Sequence, residues 1–104
     1  MTLKTHKKKR IEFIVEAALA PEVEKLLKAL KVKCLVSSAL ESGQLASGPL
    51  LGGQISVAFA HLQFVTVVGE ALAEEVLAKA HALLADYTAA ILISDVEVLR
   101  DDHF

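Results

Sequence analysis

Residues 64–99, FVTVVGEALAEEVLAKAHALLADYTAAILISDVEVL, decide the fold. Phe64 to Val68 ends a run, Ile55 to Val68, that is dense in Val, Phe and Ile, the composition of a strand, and Gly69-Glu70 closes it. From about Ala71 to Asp86 the period changes. Leu72, Val76, Ala80, Leu83 and Leu84 fall on an inward helical face, while Glu74, Glu75 and Lys79 fall on the outward one. Tyr87 and Thr88 interrupt that pattern, and residues 90–99, AILISDVEVL, return to a strand. The stretch is one β-α-β unit.

The N-terminal half repeats the plan. Arg10 to Glu16 reads as a strand, because Ile11, Phe13 and Val15 alternate with Glu12 and Glu16, and Ile14 places one apolar residue on the second face. Pro21 opens a helix as an N1 proline, with Glu22 and Glu24 where the helix dipole favours acid. Val23, Leu26, Leu27 and Leu30 form its buried stripe, and Lys25, Lys28 and Lys31 face water. Lys33 to Leu40, KCLVSSAL, reads as the second strand.

Two such halves in series predict a ferredoxin-like α+β fold, the split βαβ order β-α-β-β-α-β, with two helices on one face of a four-stranded antiparallel sheet. The helix-free face carries apolar residues and needs cover. Neighbouring subunits would supply it, so a homo-oligomer is expected.

Between the halves lies ESGQLASGPLLGGQ, where Gly43, Gly48, Gly52, Gly53 and Pro49 weaken regular structure. Leu45, Leu50 and Leu51 are more apolar than a solvated linker needs. A plain hairpin connection and a mobile loop that docks on a partner are both open readings.

At 104 residues the chain suits a single domain, 1–104. Its formal net charge of −2 gives no global reason to expect nucleic acid. The basic run Lys7, Lys8, Lys9, Arg10, extended by Lys4 and His6, reads as flanking charge on a solvated N-terminal tail of about residues 1–9, with ligand phosphate or nucleic acid as the alternatives. The single cysteine, Cys34, excludes an intrachain disulfide and reads as a small side chain in an apolar strand. No apolar run approaches the ~20 residues of a membrane span, and the N-terminus lacks a signal-peptide pattern. The expectation is a cytoplasmic protein that meets membrane only through a partner.

Catalytic constellations are missing from the sequence: it has no HExxH, GxSxG or P-loop, and His6, His61, His81 and His103 lack metal-ligand spacing. No enzymatic activity, catalytic cofactor or metal is expected. Asp101-Asp102 before His103 reads as a frayed tail, with a site-lining or metal role as the alternative.

The segment 64–99 and the residues after it also carry a resemblance. AEEV in the helix, the DYTAAI turn and the ending EVLRDDHF resemble the PII-like signal-transduction proteins, in particular the branch associated with bicarbonate transporters and carboxysomes. The first half shares that family's layout with weaker identity. The resemblance implies a homotrimer that binds an adenine nucleotide in clefts between subunits and signals through a T-loop, here about residues 42–54. It places Gly43 and Gln44 at the base of that loop, Cys34, Leu35 and Val36 on the wall offered to the adenine of a neighbouring subunit's site, and Thr88, Ala89 and Ala90 in the B-loop. Arg100 matches the first of two C-terminal phosphate-binding arginines.

Three departures shift the expected ligand. Ala89 stands where classical PII proteins have a phosphate-binding Lys, and Asp102 where they have the second Arg. A charged hydrogen bond contributes about 1.5–3 kcal/mol, so ADP or AMP is expected ahead of ATP. The loop has no Tyr to accept a uridylyl group; Ser42 and Ser47 are its hydroxyls. The carboxysome-associated branch implies bicarbonate as a second ligand, held by the Gly43-Gln44 backbone and Arg100, and a bicarbonate transporter or carboxysome-related protein as partner. Two alternatives stand beside this reading: a microcompartment shell-type structural subunit and an ACT-like amino-acid-sensing module.

Overall fold

The computed structural model describes residues 3–46, 48–51 and 60–104. The order is β1 (His6–Glu16), α1 (Ala20–Ala29), β2 (Val36–Ala39), β3 (Ser42–Leu45), β4 (Gly48–Leu51), β5 (His61–Val68), α2 (Glu70–Leu84) and β6 (Ala90–Val98). Single 3-10 turns at Ala17–Leu19 and Asp101–His103 precede α1 and follow β6.

Strands β2, β5, β1 and β6 form one sheet in that order, each neighbouring pair antiparallel. This is the ferredoxin-like arrangement expected from the two β-α-β halves. The alternation in β1 decides which face is covered. Ile11, Phe13 and Val15 are fully buried and pair with Thr66, Phe64 and Leu62 of β5. They meet Val23 and Leu27 of α1 and Ala73, Val76, Ala80 and Leu84 of α2 in one core. The α2 stripe is shifted from the expected one: Ala73 is buried, whereas Leu72 and Leu83 are half-buried at its margins. Small Ala73 and Ala80 let the helix approach the sheet, and the bulkier leucines spread along its flanks.

Helix α1 ends in a Schellman motif. The Val32 amide bonds to the Leu27 carbonyl and the Lys31 amide to the Lys28 carbonyl, while Lys31 takes φ of 60°. Val32 then packs on the core beside Leu27, as the motif favours.

Three boundaries differ from expectation. β1 begins at His6, so His6–Lys9 are strand and not a solvated tail. The physical reason is nonlocal: Lys9 pairs in register with Asp95 and Lys7 with Glu97, so β6 pulls the basic run into the sheet. β2 is confined to Val36–Ala39, and the Schellman turn uses up the residues before it. The segment expected as the T-loop contains a hairpin, β3 with β4, in register Ser42↔Leu51 to Leu45↔Gly48. Gly48 has φ of 142°, a conformation side chains resist, so a glycine permits this hairpin. The expected strand start at 55–59, Ser47, and residues 52–54 of the expected T-loop lie outside the described residues.

Candidate functional site

The helix-free face of the sheet carries open apolar positions beside paired charges. Val36, 56% exposed on edge strand β2, and Leu92, 49% exposed on edge strand β6, lie level with Val65 and Glu12 between them. Three polar side chains on this face are matched to one another. Arg10 forms an ion pair with Glu12, and Gln63 Nε2 donates to Glu12 Oε2 at 2.9 Å. A sheet face with satisfied charges and open apolar positions is suited to burial against another surface.

The residues implied for nucleotide binding fall in two groups. Gly43 and Gln44 lie in β3, opposite Leu50 and Pro49, and the chain enters that hairpin from the C-terminal end of β2. A Cβ at position 43 would approach Leu50 Cδ1 to 3.0 Å, so glycine suits the close hairpin packing. Thr88 and Ala89 follow α2, and Ala90 opens β6 opposite Ile14, at the same end of the sheet as the hairpin. Cys34 and Leu35 precede β2, and Arg100 follows β6, at the opposite end. Because β2 and β6 are the two edges of the sheet, roughly 14 Å separates them across three strand spacings. One chain does not gather these residues into one site.

The segment Cys34–Val36 is fixed from beneath. Thr66, fully buried on β5, donates its hydroxyl to the Cys34 carbonyl at 2.6 Å. Cys34 itself is half-buried rather than enclosed, because it lies in the connection before β2 and not inside a strand.

A second constellation escaped the sequence reading. Lys7, Lys8, Lys9, Glu70, Asp95, Val96 and Glu97 line a cavity of about 360 Å³ beside the first turn of α2. Lys9 pairs with Asp95, and this hydrogen bond and charge hold the Asp95 carboxyl below its ordinary 3.8 and the Lys9 ammonium above its ordinary 10.5. Thr5 Oγ1 donates to Glu97 Oε1 at 2.7 Å. Asp101 is no frayed tail: Lys8 Nζ lies 2.6 Å from its Oδ1, and that contact lowers its carboxyl below 3.8, with His6 and Lys33 adding to the effect. The signal for this cluster was the run Lys7–Arg10, which only the β1/β6 register converts into paired charges. Among the described residues no group of three His, Cys, Asp or Glu could hold a metal, and no helix is long and apolar enough to cross a membrane.

Comparison with solved structures places this architecture. CPII, a nitrogen regulatory PII-like protein from Thiomonas intermedia K12 solved with ADP, AMP and bicarbonate, superposes with a TM-score of 0.87, covering 99% of this chain and 98% of its own at 22% identity. The fold is PII-like. A PII-like signaling protein from Thermus thermophilus covers 98% of this chain and 99% of its own at a TM-score of 0.80 and 15% identity. The GlnK–ATP complex from B. subtilis is more distant, with a TM-score of 0.61, 14% identity, and coverage of 86% of this chain and 82% of its own. No family model matches the chain, and no curated protein matches it.

Proposed function

We infer that the protein is a PII-like regulatory sensor, a homotrimer that binds ADP or AMP in the clefts between its subunits, takes bicarbonate as a second ligand, and signals through the 42–54 loop. One observation carries this reading: the chain shares its architecture over nearly its whole length with CPII, which was solved with ADP, AMP and bicarbonate. The separation of the expected site residues onto opposite edges of the sheet supports it too. Cyclic packing would bring the β2 edge of one subunit beside the β6 edge of the next, so a cleft between chains could collect what one chain cannot. The pre-paired Arg10, Glu12 and Gln63 suit a sheet face buried at the centre of such an assembly.

The nucleotide preference follows from Ala89 and Asp102, which leave the polyphosphate end short of two cations. The output is a change in the hairpin at 42–51 when ligand occupies its base, read by a partner from inorganic-carbon uptake or the carboxysome. That partner class rests on the resemblance of the C-terminal third of the sequence.

Isothermal titration with AMP, ADP and ATP, each with and without bicarbonate, tests the reading. Micromolar binding of ADP or AMP, weakened by Arg100→Ala, is the expected result. Absence of heat from every adenylate overturns it, and a mass other than three copies in light scattering turns the interpretation toward a shell-type or amino-acid-sensing assembly.

A further inference from the structure

Lys8 and Asp101 form an ion pair whose two members differ sharply in exposure. The Lys8 side chain is only 15% exposed, whereas Asp101 is 55% exposed and sits on a single terminal 3-10 turn. Two backbone bonds hold that turn, His103 to the Arg100 carbonyl at 3.4 Å and Phe104 to the Asp101 carbonyl at 3.1 Å. The cation is thus part of the sheet, and its counterion is on a short terminal turn.

Further positive charge converges on the same carboxylate from distant parts of the chain. His6 lies two residues before Lys8 on the same face of β1, and Lys33 comes from the connection between α1 and β2; both add to the field on Asp101. Arg100 immediately precedes the turn. Withdrawal of Asp101 would leave the Lys8 ammonium without its counterion, a place that another anion can take. Lys8 and His6, on one face of β1, suit an oxyanion that can accept from both.

We propose that Lys8, with His6 beside it on the same face of β1, forms a phosphate site whose internal occupant is Asp101, and that the terminal phosphate of a bound nucleotide displaces Asp101 to bind there. The proposal rests on the adenylate reading for the identity of its ligand, while the anion site itself does not. It supplies a cation from β1 where Ala89 and Asp102 withhold theirs. It also makes the C-terminal turn a reporter, since ligand binding releases it.

Titration at low ionic strength of the full chain and its Asp101→Ala and Asp101→Asn variants with inorganic pyrophosphate, ADP and adenosine tests this. Both variants are expected to bind pyrophosphate and ADP about three- to fivefold more tightly than the parent, the scale of one exposed ion pair, with adenosine unchanged. Adding Lys8→Ala to either variant removes the gain. Pyrophosphate affinity that is unchanged or weaker in both Asp101 variants overturns the proposal, as does a gain that survives Lys8→Ala. A pyrophosphate gain in a protein that binds no adenylate upholds the anion site and overturns the nucleotide reading; adenylate binding with no pyrophosphate gain does the reverse.

Discussion

The Thr66 hydroxyl, fully buried on β5, donates to the Cys34 carbonyl at 2.6 Å and so ties the segment before β2 to the middle of the sheet. Thr66 is the one buried polar residue in the core of the described chain, and its position opposite Ile11 would suit an apolar side chain equally well. Its hydroxyl therefore serves the segment it holds. Thr66→Val keeps the shape and removes the bond, which is expected to cost about 1 kcal/mol, whereas Thr66→Ser retains most of it. Thermal unfolding measures the stability, and the rate at which a thiol reagent modifies Cys34 measures the tether. Thr66→Val raises that rate and Thr66→Ser does not.

Lys31 stands at a position that glycine would fill with less strain. Its φ of 60° closes the Schellman motif after α1, and a β-carbon in that left-handed conformation costs about 1 kcal/mol. The side chain is exposed, so nothing is lost from the core by removing it. Lys31→Gly is expected to stabilise the protein by about 0.5–1 kcal/mol, read as a higher urea midpoint at unchanged slope. A lower midpoint would mean that unfolded-chain entropy outweighs the relief of strain.

The β-α-β order was legible because it is written in local periodicity: Ile11, Phe13 and Val15 at period two, and Val23 and Leu27 at period four, all fall in the core. What local pattern does not encode is register. The basic run at Lys7–Lys9 is indistinguishable from a tail until Asp95 and Glu97 stand opposite it on β6. The pairing of β3 with β4 was illegible for a related reason, since Gly43 and Gly48, which weaken a strand in isolation, are what permit this tight pairing. The candidate site was less legible than the fold, because Gly43 and Arg100 lie at opposite ends of the sheet, and no local pattern relates them within one chain.

The exposed ion pairs predict how stability depends on pH. Asp95 and Asp101 have carboxyls lowered from 3.8 by Lys9 and Lys8, so their contribution is complete above about pH 4 and is lost as pH falls through the lowered folded values. Lys9 is raised above 10.5 by Asp95, so its contribution is present below that pH and is lost as pH rises through the raised value. Asp95→Asn is expected to flatten the profile at both extremes, and Asp101→Asn at the acid one. Urea midpoints measured from about pH 2 to about pH 11.5 check both, and the differences should shrink in high salt.

Leu92 separates the stability of the chain from that of its assembly. It lies on the helix-free face of edge strand β6, opposite Glu12 and 49% exposed, so a charged residue there displaces nothing in the core. In a trimer closed over that face, Leu92→Arg would bury an unpaired guanidinium at each subunit contact, a penalty of several kcal/mol. Light scattering is expected to show three copies for the parent chain and one for the variant, while circular dichroism shows the same secondary structure in both. A variant that stays at three copies would place the subunit contacts away from Leu92, and the sheet face between Val36 and Leu92 would then need another occupant.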